Sequence, residues 1–253
     1  MSKVTCIFCR NKSERAKEHI WPRWIQKYVI GSTKATNFGR HISPIAQTIS
    51  ERKQSGESLV YGNVCKDCNS GWMSDLETQV IPIIKDVYEK GQDAKDWSKE
   101  DSKTFATWAF KTILMINAGS NYRDIVRKVH FKNIYNLKRP PKEVQIEIGL
   151  LEEINDGLEW RQTHVSGVVG PESFVKVKNK KHSKKSYVIG FTIGSLITRV
   201  IYWPDHSAKI NTNSSYKVIW PEPKEIQFNN LKLIDSIESM GIGLVSYDHL
   251  SNT

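Results

Sequence analysis

The chain contains four cysteines, and all of them lie in two C-x-x-C pairs, Cys6-Ile7-Phe8-Cys9 and Cys65-Lys66-Asp67-Cys68. Two intervening residues let a tight turn aim two thiolates at one ion, and two such turns make a tetrahedral four-thiolate site. With no spare cysteine, the pattern reads as metal usage rather than a disulfide framework. Structural Zn²⁺ held by Cys6, Cys9, Cys65 and Cys68 is the expectation. Such an ion would also draw together residues that flank the two pairs. Glu18 and His19 follow the first pair, and Asn69 directly follows the second. A carboxylate and an amide oxygen are hard ligands that suit Mg²⁺ or Mn²⁺. An imidazole titrating near neutrality suits proton abstraction from water. Together these are the parts for one-metal hydrolysis of a phosphodiester.

The elements that must position those residues divide the chain into three stretches. Residues 1–90 are expected to fold around the zinc. Trp24 to Val29 could start a short helix after Pro22, and residues 31–58 read as a long excursion with short strands at most. Residues 58–64 look like a strand entering the second cysteine pair. From about Ser74, Leu76, Val80, Ile83, Ile84 and Val87 recur at helical steps, with Ser74 and Glu77 as a capping box and Pro82 as an interruption. Residues 91–139 are expected to be helical: one helix from Ser98 to Ala118, capped by Ser98 and Asp101, and a shorter one from Tyr122 to Val129. Residues 140–253 are rich in β-branched and aromatic runs and predict a mostly antiparallel sheet, separated from the rest near Pro140–Pro141. The fold class is therefore α+β.

The 253 residues carry 37 Lys and Arg against 27 Asp and Glu, a formal net charge of +10. A basic surface favours a polyanion through charge attraction and counterion release. Nucleic acid is the candidate partner, with DNA or RNA left open by the charge, although many basic proteins bind none. The densest basic run, Lys176 to Lys185 around His182, could touch phosphates, although a solvated loop is the plainer reading of it. No apolar run reaches membrane-spanning length, and the start, MSKVTCIFCR, has no apolar core of signal-peptide length. Cytoplasmic location without membrane association is expected.

The succession C-x-x-C, Glu18-His19-Ile20-Trp21-Pro22, then C-x-x-C-Asn69 resembles the HNH endonucleases, the ββα-metal nucleases, over residues 3–88. The resemblance implies a zinc-braced ββα-metal core. It implies Glu18 and Asn69 as ligands of a catalytic Mg²⁺ or Mn²⁺ and His19 as general base. Asn63 is the nearest counterpart of the family's middle asparagine. The continuation Gly71-Trp72-Met73-Ser74-Asp75-Leu76-Glu77 resembles bacterial and phage-borne members. The expected activity is metal-dependent hydrolysis of DNA, as in restriction or phage defence. Arg15 or Arg23 would hold a phosphate, and the β-rich stretch would select the target or pair two subunits. A zinc-braced nucleic-acid-binding module without catalysis is the alternative.

Overall fold

The structure is a computed structural model that describes residues 2–29, 31, 36–43, 47–55, 60–123, 125–155, 157–168, 186–204, 208–241 and 244–247. Strand β1 (Lys3–Thr5) pairs antiparallel with β2 (Lys12–His19). The turn between them carries the first cysteine pair. The Cys6 amide donates to the Asn11 carbonyl, the Arg10 amide donates to the Cys6 carbonyl, and Arg10 takes a left-handed φ of 67° to close the turn. Helix α1 (Arg23–Val29) follows, then a hairpin of β3 (Thr36–Ile42) and β4 (Thr48–Ser55). Strand β5 (Val60–Cys65) returns to pair antiparallel with β2. A one-turn helix, α2 (Lys66–Cys68), and a wide turn at Asn69–Met73 lead into α3 (Ser74–Lys90). Around the cysteines the chain thus runs strand, strand, helix.

Helix α4 (Lys99–Gly119) forms where the sequence predicts it, and both halves of the Ser98–Asp101 capping box are made. It is buried on nearly every side, as befits a helix apolar all round that serves as the centre of the core. The capping box expected at Ser74 and Glu77 is not formed. The Ser74 carbonyl instead accepts from the Thr78 hydroxyl, and Glu77 accepts from Lys111. Pro82 lies inside α3 without ending it. The helix expected over Tyr122–Val129 lies further on, as α5 (Lys128–Leu137), and ends at Lys138 with φ 52°.

The remaining strands are β6 (Val144–Asn155), β7 (Glu159–Thr163), β8 (Ser166–Val168), β9 (Tyr187–Tyr202), β10 (Ala208–Asn211), β11 (Lys217–Trp220), β12 (Leu233–Ile234) and β13 (Leu244–Tyr247). The main sheet runs β11-β6-β9-β7-β3-β4, with β12 paired to β6. Most of its pairings are antiparallel, but β3–β7 and β12–β6 are parallel. All of β9 is buried. Strands β10, β13 and β8 make a separate small sheet.

The division at residues 90 and 139 does not separate this sheet from the N-terminal stretch. Strands β3 and β4, from the expected excursion, form its edge. A Cβ on Gly39 would lie 2.1 Å from the Trp160 ring, so the absence of a side chain lets that ring cover β3. Arg40 pairs with Glu51 and Glu159, and Arg161 pairs with Glu159 and Glu238. The largest apolar cluster among the described residues takes in the cysteine turns, α3, α4 and much of the sheet, and two smaller clusters form around Ile197 and Ile201 of β9. Among the described residues no helix is long and apolar enough to cross a membrane. The lysine run at 176–185 lies outside the described residues.

Candidate functional site

The two cysteine turns meet. The sulfurs of Cys6, Cys9, Cys65 and Cys68 all lie within 4.8 Å of one another, and none is in a disulfide. The Cys9 and Cys65 sulfurs are 3.7 Å apart. A tetrahedron with Zn–S bonds of about 2.3 Å has S–S edges of about 3.8 Å, so the donor set fits Zn²⁺. A hydrogen bond with Cys68 pulls the Cys6 thiol down to about 4, whereas burial pushes Cys65 up to about 11. Four thiolates this close need a bound cation to coexist. Phe8, inside the first pair, packs edge-on against Trp72 at 5.5 Å, and the Lys138 ammonium lies 4.7 Å over the Trp72 ring. Trp72 therefore walls the metal centre. Asn63 braces it through its backbone, its carbonyl accepting from the Ile7 amide.

The pairing of β2 with β5 sets the second part of the site. Side chains alternate across a strand, so Lys17 and His19 emerge on one face of β2 and Glu18 on the other. His19 and Lys17 line an open cavity of about 730 Å³, together with Asn69 from the turn after α2 and Val60 from β5. Helix α1 adds Arg23, Gln26 and Lys27 to its lining. Arg23 and Lys27 stand four residues apart and so share a helix face. The Arg23 Nε is 3.5 Å from the His19 Nε2. Gln26 donates to the Trp21 carbonyl, and its own side-chain oxygen is buried without a hydrogen-bond donor. His19 is held in place because Ile20 and Trp21 are fully buried, with Trp21 edge-on to Phe191 at 5.5 Å. Gly119 leaves the space that the Ile20 side chain fills.

Glu18 is not among the described residues that line the cavity. It is buried on the α4 side, 3.5 Å from the Lys111 ammonium, which also donates to Glu77 at 2.8 Å. Burial raises the Glu18 pKa, with Lys111 opposing that shift. Burial also pulls Lys111 down, but the two carboxylates outweigh it and hold its pKa above the usual lysine value. The expected pair of metal ligands, Glu18 and Asn69, is thus split between two faces of β2.

Of the residues singled out from sequence, the four cysteines converge, and His19, Asn69 and Arg23 share a cavity. Arg15 lies in the adjoining cavity with Lys17. The sequence singles out none of Lys17, Lys27 and Lys111, and it offers Glu77 as a helix cap rather than as the partner of Lys111. The alternation Arg15, Lys17, His19 along a strand was the available signal for Lys17. Lys111 carries no local signal, because it is a charged residue inside an apolar helix whose partners are remote in sequence. Comparison of the chain with protein-family models, with curated proteins and with solved structures finds no match.

Proposed function

We propose that this chain is an endonuclease of the HNH type that hydrolyses DNA phosphodiester bonds, with Zn²⁺ as its structural ion. One observation carries the reading: His19 and Asn69, remote in sequence, open onto the same cavity beside three cations, Lys17, Arg23 and Lys27. The succession of β2, β5 and α3 around the cysteines is the order that a ββα-metal core requires. In this reading His19 takes a proton from the attacking water as the bond from phosphorus to the leaving oxygen breaks. The Arg23 guanidinium and the two ammonium groups offset the charge that grows on the phosphate. Mg²⁺ or Mn²⁺, if held there, would supply Lewis-acid chemistry to such a step. The cavity offers such an ion the Asn69 side chain, whereas the Glu18 carboxylate is engaged by Lys111, so the two-ligand site is not assembled in this arrangement.

That engagement of Glu18 favours a second reading, a zinc-braced nucleic-acid-binding module without catalysis. Incubation of supercoiled plasmid with the purified protein, with and without added Mg²⁺ or Mn²⁺, separates the two. Nicking by the wild type is the expected result. Salt-sensitive DNA binding without strand cleavage under any of these conditions would leave only the second reading.

A further inference from the structure

A second cavity, of about 560 Å³, adjoins the one at His19. Lys17 and Val60 line both, so the two share a wall and form one groove along β2 and β5. Its far end is made by Ser2, Arg15 and Gly62. The described residues lining either cavity include four cations, Lys27, Arg23, Lys17 and Arg15, with the His19 imidazole beside them, and no carboxylate. In a chain with 27 acidic residues, a groove free of them selects for anions.

The spacing narrows the choice of anion. Arg15, Lys17 and His19 sit at alternate positions of β2, so neighbouring side chains start about 6.6 Å apart on one face. That step is comparable with the separation of successive phosphates along a nucleic-acid strand. A lone phosphate or a mononucleotide would engage one end of such a ladder and leave the other empty. Arg15 is also fixed in direction. Its Nε donates to the Gly62 carbonyl at 2.8 Å, and its guanidinium lies where a Cβ on residue 62 would be, 1.9 Å from that position. Glycine at 62 is what lets Arg15 lie across β5 in this way. The β2–β5 register slips between Ala16 and Glu18, at the level of Gly62 and Asn63, and such irregularities re-aim side chains beside a site.

We infer that the groove binds one polynucleotide strand along β2, with one phosphate at His19 and Arg23, the next at Lys17 and a third at Arg15. The inference rests on the nuclease reading only for what happens at the first of these positions. Arg15 is then a binding subsite two phosphates from the reacting one, and Gly62 is its positioning residue.

Binding of labelled thymidine oligonucleotides of two, four and eight residues, read by fluorescence anisotropy without added Mg²⁺ or Mn²⁺, tests this. Affinity is expected to rise from two to four residues. Arg15→Ala should weaken the longer oligonucleotides roughly 3–10-fold while leaving the dinucleotide unchanged. It should also flatten the dependence of log K on log salt by about 0.7, the share of one phosphate contact on a single strand. Gly62→Ala should reproduce the Arg15→Ala effect by displacing the guanidinium, and Arg15→Lys should restore the salt slope. Equal zinc content and melting temperature check that each variant folds. An Arg15→Ala effect that is absent, or equal at every length, overturns the inference, as does a wild type that binds no oligonucleotide. Plasmid nicking by the same wild-type preparation distinguishes the failures. Nicking without length-dependent binding removes the subsite alone. Length-dependent binding without nicking removes the nuclease reading and leaves the groove.

Discussion

Glu18 and His19 are adjacent in sequence and serve opposite faces of one strand: His19 opens to the basic cavity, while Glu18 is buried 3.5 Å from the Lys111 ammonium. Lys111 is itself completely buried and holds two carboxylates, those of Glu18 and Glu77. Lys111→Met removes the cation and leaves like charges facing each other, a change that costs about 3–5 kcal/mol in buried ion pairs. Adding Glu18→Gln removes the stranded charge and should recover part of the loss. The carboxylates raise the Lys111 pKa, so its contribution persists below the ordinary lysine pKa and is lost only as strong alkali deprotonates it in the folded state. Urea unfolding of the single and double variants checks this. A Lys111→Met protein as stable as the wild type, or a double variant no better than the single, would contradict it.

The cysteine geometry predicts one Zn²⁺ per chain. Cys65→Ser should lose the metal and unfold the β1-β2-β5 sheet with the turns it carries, because in such a site the metal-binding energy is folding energy. Acidification should release zinc from the wild type as the thiolates protonate. Elemental analysis alongside circular dichroism reads both. A chain purified without chelator that contains no zinc would refute the prediction.

The pattern of residues made the cysteine centre legible because C-x-x-C is a local geometry, complete within one turn. The same holds for α4, whose cap, Ser98 with Asp101, spans four residues. The alternation of β2 places Lys17 beside His19 and Glu18 opposite, but the run from Lys12 to His19 is too polar to announce itself as a strand. What no local pattern holds is the pairing of β3 with β7, a parallel contact between residues such as Gly39 and Trp160. Segment 31–58 looked like a loose excursion because its strands carry polar and charged residues such as Arg40 and Glu51, which find their partners within the hairpin and on β7. Lys111 is the same case in the core: a charge inside an apolar helix is explained only by Glu18 and Glu77, which come from other elements.

That distant pairing makes Gly39 a sharp probe. A methyl group there meets the Trp160 ring, which is itself nearly buried, and overpacking of this kind costs about 1–3 kcal/mol. Gly39→Ala should lower the unfolding midpoint accordingly. It should also speed amide exchange in β3 and β4 more than in β2 and β5. Unchanged stability would mean that the hairpin is not docked as described.

His130 gives a pH-dependent signature. Its ring is buried, with Nδ1 2.8 Å from the Tyr187 hydroxyl, and burial, aided by the nearby Arg127 cation, holds its pKa down to about 4. The unfolded chain titrates near the ordinary 6.5 and so binds more protons between those limits. The stability from neutral His130 is therefore complete above about pH 6.5 and declines as the pH falls toward 4. The decline amounts to roughly 2–3 kcal/mol by pH 4.5. His130→Gln should be less stable than the wild type at pH 7 and approach it in acid. Denaturant curves for both proteins from pH 7 to 4.5 check this. A gap between them that does not narrow would show that His130 protonates normally in the fold.

The cavity at His19 predicts a failure unlike that of the cysteines. His19→Ala should slow plasmid nicking by about 10²–10⁴-fold, the usual contribution of a positioned general base. Zinc content and melting temperature should stay near wild type, because His19 sits on the open face of β2 while Ile20 and Trp21 supply the packing. DNA affinity should fall far less than the rate, since Arg23 still faces the phosphate at that position and a group that acts in the transition state adds little to ground-state binding. Asn69→Ala should lose activity that high Mn²⁺ partly restores, if its amide holds the ion. Glu18→Gln decides whether Lys111 ever yields its carboxylate. A structural Glu18 predicts nicking at close to the wild-type rate in the fraction that folds. A Glu18 that turns to the ion predicts a loss that added metal partly reverses. If His19→Ala cleaves as fast as the wild type in preparations free of contaminating nuclease, the base lies elsewhere and the cavity is a phosphate-binding site alone.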